Sequence, residues 1–302
     1  MAHEISRQKF LRGAAGALAL GAAFGSVRAG ADPNSSGWEG LSTAIGGQVI
    51  RPDNGAQFAT AKQVFNTNYN GSTPAAVVVP TSAADVQRAL AFAAAQHLKV
   101  APRAGGHSYV GASTANGTMV LDLRQLPGEI NYDATTGQVT VTPATDLYAI
   151  HQALAAAGRG IPTGTCPSVG AAGHALGGGL GANSRHAGLL CDQLTSASVV
   201  LPGGQAVTAS ATNNPDLFWA LRGGGGGNFG VTTSLTFATF PTKDLDVVGL
   251  NFPPQSFAQV LLDWQNWLRT ADRSNWALAD STTDGLGAQC RILATGPAGS
   301  GS

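Results

Sequence analysis

The stretch R-A-G-G-H-S-Y-V-G-A-S, Arg103 to Ser113, sets one histidine among small residues. Gly105 and Gly106 precede His107, and Gly111 and Ala112 follow it, so the backbone is free to turn sharply and approach a ligand closely. Successive N–H groups of such a loop point into one concavity, the geometry by which main chain binds a diphosphate. What leads into the loop is regular. Ala75 to Pro80 (A-A-V-V-V-P) reads as a short apolar strand, and Ser82 as the N-cap of a helix over Val86 to Gln96, with Asp85 three residues on. Leu98 to Pro102 is the next strand. A strand–helix–strand unit ending in a ligand-bearing loop predicts an α/β arrangement.

Downstream, Thr118 to Leu123 and Gly137 to Pro143 read as strands, Asp146 to Ala157 as a helix closed by Gly158, and Arg159 to Pro162 as a short strand. A second dense stretch follows from Gly164 to Asp192. Strands resume at Leu194 to Leu201 and Gln205 to Ala209, joined by the turn Pro202-Gly203-Gly204. Pro215 to Ala220 is a helical turn before the glycine run Gly223 to Gly227, and Val231 to Phe240 alternates as a strand. Beyond Pro241, Asp244 to Phe252 reads as a strand, Ser256 to Leu268 as an amphipathic helix with Trp264 and Trp267, and G-P-A-G-S-G-S as a tail. Asp32 to Thr73 reads as an irregular lead-in with one short helix near Ala59 to Phe65.

The composition narrows the function. The 302 residues are 43% hydrophobic, enough for a large core, and a net charge of zero without a long basic run argues against nucleic-acid binding. Only 11% are charged while glycine numbers 41, which suits backbone packed against backbone or cofactor. The three cysteines, Cys166, Cys191 and Cys290, are too few and too far apart for a disulfide framework or a CxxC metal site. At the N-terminus, Arg7, Lys9 and Arg12 precede an apolar run from Gly13 to Val27, and Ala29-Gly30-Ala31 offers a cleavage site, so residues 1–31 are expected to be an export signal. Ser6 to Arg12 resembles a twin-arginine signal in which Gln8 replaces the second arginine. The run is too short and weakly apolar to span a membrane.

Other cofactor motifs do not fit. The glycines at Gly177 to Gly181 do not follow a strand as a dinucleotide-binding turn requires, and no G-x-x-x-x-G-K-[ST] is present. A zinc site from His107, Cys166, His174 and Cys191 lacks any ligand pair at finger spacing, and a Cys–His hydrolase built on Cys166 leaves the glycine clusters unexplained.

Four stretches in order, R-A-G-G-H-S-Y (103–109), G-T-C-P-S-V-G-A-A-G-H-A-L-G-G-G-L-G (164–181), R-H-A-G-L-L-C-D (185–192) and D-L-F-W-A-L-R-G-G-G-G-G-N-F-G-V (216–231), resemble the berberine bridge enzyme-like flavoproteins. That branch of the vanillyl-alcohol oxidase/p-cresol methylhydroxylase (PCMH) superfamily includes glucooligosaccharide oxidases. The resemblance implies an α+β fold: a lead-in over 32–73, a PCMH-type FAD-binding domain of two α/β subdomains over 74–241, and the truncated start of an antiparallel-sheet substrate domain over 242–302. It implies FAD joined twice, by His107 to the 8α-methyl carbon and by Cys166 to C6. A neutral imidazole and a thiolate are side chains able to add to an electron-poor flavin ring.

Further roles follow from the resemblance alone. His174 is implied near flavin N1 and the C2 carbonyl or the ribityl chain, and Val169 beside C4a where it leaves space for oxygen. Arg103, Ala104, Gly105, Gly106, Ser108, Gly111 and Ser113 are implied around the cofactor in the first loop. Gly170, Gly173, Gly177, Gly178, Gly179 and Gly181 are implied against ring and pyrophosphate, and Gly230 and Val231 at the adenine end. Arg185 and Asp192 are expected to support the loops. The implied reaction is oxidation of an alcohol or oligosaccharide with oxygen as acceptor, in an exported protein. Its catalytic base is expected from segments later than those in this chain. The alternative is a flavin-binding chain without turnover.

Overall fold

The computed structural model describes residues 37–281 and 288–295. The export signal read over 1–31 and the tail after Thr295 lie outside them. Two helices and a strand come first: α1 (Trp38–Ala44), β1 (Gln48–Ile50) and α2 (Ala56–Ala61). The strand–helix–strand unit follows as β2 (Ala76–Val79), α3 (Ala83–Ala95) and β3 (Val100–Arg103), with β4 (Met119–Asp122) after the histidine loop. These strands form one sheet in the order β1-β2-β4-β3, parallel except for β1. Every residue of β2 and of β4 is buried, which is why both read as unbroken apolar runs.

Ser82 caps α3 as expected, its Oγ accepting from the Asp85 N–H at 3.1 Å. The buried Asp85 carboxylate in turn accepts from the Thr81 and Gly46 amides, tying the start of α3 to the turn after α1. Val86, Ala89, Leu90 and Ala93 of α3 then pack with Leu41, Ile45, Met119 and Leu121. From Gly37 on, the segment expected as an irregular lead-in carries helices and a strand. It supplies the edge strand β1 and part of this core, because three residues are too few to show a period in sequence but suffice to pair with β2.

The second sheet takes β5 (Asn131–Asp133), β6 (Gln138–Val141), β8 (Leu194–Val200), β9 (Ala206–Ser210) and β10 (Val231–Ala238), in the order β5-β6-β10-β8-β9 and antiparallel throughout. Between β6 and β8 run α4 (Leu147–Ala155), β7 (Arg159–Gly160), α5 (Ala171–Leu176) and α6 (Ser184–Ala187), and α7 (Pro215–Leu221) precedes β10. Asp146 caps α4 by accepting from the Ala149 N–H at 2.7 Å. Leu147, Ile150 and Leu154 of α4 meet Val139, Val141, Leu235 and Phe237 of the sheet in a second core.

After β11 (Phe240–Pro241), which pairs with β7, come β12 (Leu245–Phe252), α8 (Phe257–Thr270), β13 (Trp276–Ser281) and β14 (Ala288–Thr295). The last three strands form an antiparallel sheet in the order β12-β14-β13. Arg185 of α6 fastens this part to the rest: its guanidinium donates to the carbonyls of Leu268, Ala271, Asp272 and Asn275 at 2.6–3.1 Å. A fixed fork of five donors at a helix C-terminus meets the carbonyls that the last turn leaves unpaired. The fold is α+β, as the resemblance implied.

Candidate active site

Three glycine clusters, far apart in sequence, meet at one place. The histidine loop and the Cys166 segment cross where Gly105 faces Gly170. A Cβ on either glycine would run into the backbone nitrogen of the other. The five-glycine run closes the third side: the Gly225 N–H donates to the Leu176 carbonyl of α5 at 2.8 Å, and a Cβ on Gly227 would stand 3.0 Å from the Pro102 ring. Only glycine permits these main-chain contacts.

His107 sits half-buried at this crossing. Its Nε2 is 3.0 Å from Ser168 Oγ, and its ring stacks on Phe65 with centroids 4.0 Å apart. Burial lowers its pKa from the ordinary histidine value, against a smaller raising effect from a hydrogen bond with the Ser168 backbone, so the imidazole is neutral at pH 7. The hydroxyl contact brings the Cys166 segment to His107, since Ser168 is two residues on from Cys166. The Cys166 thiol is exposed. Val169 closes a tight turn by donating its N–H to the Cys166 carbonyl at 3.4 Å, and its own carbonyl accepts from Leu147 at the start of α4.

His174, on α5, accepts the Gly164 N–H at Nε2 over 2.8 Å, which leaves its proton on Nδ1. Burial lowers its pKa as well. Behind it, His151 Nε2 and Thr163 Oγ1 are hydrogen-bonded at 2.5 Å, and Thr163 Oγ1 also donates to the Gly164 carbonyl. The segment carrying Gly164 is thus held from both sides.

The expected site residues divide by what their side chains or missing side chains meet. Arg103 is a correction. Its side chain, 1% exposed, turns inward to Asp122 (Nη2 to Oδ2 2.7 Å) and to the carbonyls of Ala61 and Gln63. It braces the loop from beneath and is not free for a cofactor. Ala104 is partly buried against the second core. Gly106 and Gly111 have φ of +74° and +71°, and Gly111 lies flat against the Tyr69 ring. Ser108 Oγ accepts from the N–H groups of Val110 and Ala112 and so shapes the turn, with Ser113 half-buried just after it.

On the second segment, Gly181 backs onto the Thr163 carbonyl, and Gly178 needs its φ of +115°. Gly179 is packed against Leu190, and Gly177 is the exposed C-cap of α5. Gly230 (φ +141°) backs onto Val199 and Val200, and Val231 is buried opposite Val200 in β10. Both still line a cavity of about 230 Å³ with Pro102, Leu98 and Gly227. A larger cavity of about 480 Å³, between Ser82, Leu126, Ser198 and Thr208, contains none of the motif residues.

Three observations fit FAD. Gly173 is exposed and a Cβ there would meet nothing within 4 Å, so α5 presents bare backbone to an open space. Among the described residues, no main-chain carbonyl accepts from the N–H groups of Gly105, His107 or Ser108, and a turn of unpaired main-chain donors is the kind of feature that binds a diphosphate. A neutral imidazole and an exposed thiol share the crossing. Sequence reasoning missed Phe65 and Ser168. Neither has a local signal, as both act through contacts across 42 and 61 residues.

Comparison with known proteins agrees. A family model for an FAD binding domain matches residues 74–210. A xylooligosaccharide oxidase of Thermothelomyces thermophilus is 39% identical over 222 residues, 71% of this chain and 44% of that protein. A chitooligosaccharide oxidase of Gibberella zeae is 37% identical over 203 residues, 64% of this chain and 40% of that protein. The solved structure of Physcomitrella patens BBE-like 1 superposes with a TM-score of 0.80 at 28% identity, covering 87% of this chain and 57% of that one. The chain spans less than half the length of the two oxidases. With the motif order, the crossing of the two loops and these likenesses in agreement, the chain carries an FAD binding domain and is similar to oligosaccharide oxidases and to a BBE-like protein, as the resemblance to the berberine bridge enzyme-like flavoproteins implied.

Proposed function

We propose that this chain is an FAD-dependent oxidase of alcohols, with oligosaccharides as the substrate class, and that His107 and Cys166 both bond to the flavin. The observation that carries the reading is the crossing at Gly105 and Gly170, which brings the imidazole segment and the thiol segment together. When bound, FAD would supply the acceptor for hydride from a substrate C–H, with oxygen as the final oxidant giving hydrogen peroxide. The protein's own residues do the rest. The free N–H groups of the 105–108 turn hold the diphosphate, and Gly173 lets the cofactor lie on α5. Nδ1–H of His174, fixed by the Gly164 amide, is a neutral donor for the negative charge of the reduced ring. Val169 would border the ring and leave space for oxygen, and Gly230 and Val231 would border the adenine end.

Residues 74–241 form the FAD-binding unit in this reading, and 242–302 begin the part that covers substrate. Residues 1–31 direct export by a twin-arginine-like route. Among the described residues no helix is long and apolar enough to cross a membrane. The test is peroxide release from purified holoprotein on a panel of cello-, xylo- and chito-oligosaccharides. Substrate-dependent peroxide supports the oxidase. Retained flavin with no turnover on any alcohol instead supports the second reading, a flavin-binding chain without catalysis.

A further inference from the structure

His107 has two neighbours whose effect goes beyond holding it in place. Phe65 fixes the plane of the imidazole by stacking, 19° from parallel, and Ser168 fixes its rotation through the 3.0 Å contact at Nε2. Ser168 is itself placed by backbone, because Gly170 is locked against Gly105 two residues later. One ring nitrogen of His107, Nε2, is therefore occupied by the Ser168 hydroxyl, and the Ser168 backbone also acts on the imidazole.

We propose that Ser168 is a positioning residue for flavin attachment: it accepts the Nε2–H of His107 and so presents Nδ1, the unprotonated nitrogen, as the nucleophile. The inference rests on the covalent-flavin reading above. In the step, the Nδ1 lone pair forms a bond to the 8α carbon while one methyl C–H bond breaks and its electron pair enters the flavin ring. The imidazole, now substituted at Nδ1, carries a positive charge until the Nε2 proton leaves. Ser168 Oγ accepts that N–H while the charge lasts, and the exposed hydroxyl passes the proton on to solvent. Two electrons and two protons leave in all, one proton from the methyl group and one from Nε2, and molecular oxygen takes them up as hydrogen peroxide. A hydroxyl suits both ends of the step, since it accepts from Nε2–H before the bond forms and donates to bare Nε2 afterwards.

The test uses the full chain with Cys166→Ala, which leaves His107 as the one route of attachment. Apoprotein from riboflavin-starved cells is mixed with FAD in air, stopped in acid at intervals, and scored for flavin fluorescence on the denatured polypeptide. Adding Ser168→Ala is expected to lower the rate constant at saturating FAD by about tenfold or more, without raising the FAD concentration that gives half the maximal rate. Ser168→Thr in its place restores most of the rate. Attachment by the Ser168→Ala chain at the parent rate, or a loss explained wholly by weaker FAD binding, overturns the role of Ser168 and leaves the flavin reading intact. Failure of the Cys166→Ala parent to attach flavin at all, with His107 present, overturns the attachment reading itself.

Discussion

Gly105 and Gly170 occupy the same small volume from opposite sides, each leaving no room for a Cβ on the other. The contact is main chain on main chain, and it sets the distance between the His107 and Cys166 loops. Gly105→Ala or Gly170→Ala must push the loops apart, at an overpacking cost of about 1–3 kcal/mol. Thermal unfolding of the apoprotein checks the stability loss. Either alanine is also expected to abolish covalent flavin, and an unchanged melting temperature would contradict the crossing.

Gly173 supplies the contrasting case. A methyl group there meets nothing within 4 Å and lies inside a helix, so Gly173→Ala is expected to stabilise the apoprotein slightly, by up to about 1 kcal/mol. The same methyl fills the space proposed for the cofactor. FAD affinity, measured by fluorescence quenching, falls in consequence. Tighter or equal binding would remove α5 from the site.

Asp122 holds the floor of the loop. Burial opposes its charge, but hydrogen bonds from Arg124 and the charges of Arg103 and Arg124 outweigh that and hold its carboxyl below the ordinary range. Arg103 keeps its charge despite burial, since a guanidinium titrates far above neutrality. Asp122→Asn strands that buried charge, and a destabilisation of about 3–5 kcal/mol is expected at pH 7. A depressed carboxyl pKa gives stability that is present above the unfolded value and lost as pH falls toward the folded one. The difference between parent and variant in denaturant melts is therefore expected to shrink below about pH 4. A gap that is constant from pH 7 to pH 3 would rule out this ion pair as its source.

Arg185 spans four carbonyls at the end of α8 and the turn beyond it. Arg185→Ala is expected to cost about 1–3 kcal/mol and to expose residues 245–295 to limited proteolysis first. Arg185→Lys recovers part of this at most, because an ammonium has three donors and no fixed fork. Full recovery by lysine would mean that charge alone holds the helix end.

The strands and helices with a clear period or a cap were legible in the sequence. Ser82, Asp146, the apolar run of β2 and the alternation of β10 place their elements within a few residues of the observed ends. The misses have a common physical cause. α5 lies inside a glycine-rich stretch of poor helix propensity and forms because its first N–H groups donate to Pro143 and Thr145. β5 is too short for periodicity, and β13 and β14 are defined by pairing with each other. Arg103 shows the limit at the site: the motif marks the position, but only Asp122, 19 residues on, reveals that its side chain faces inward.

The central claim is that one flavin joins His107 and Cys166. Its most direct measurement is mass spectrometry of the proteolysed, acid-denatured holoprotein. The account predicts a single flavin-bearing species in which the peptides containing His107 and Cys166 are cross-linked through the cofactor. His107→Ala leaves flavin on the Cys166 peptide alone, and Cys166→Ala on the His107 peptide alone. Unmodified forms of both peptides, with all flavin free in the acid supernatant, would contradict it.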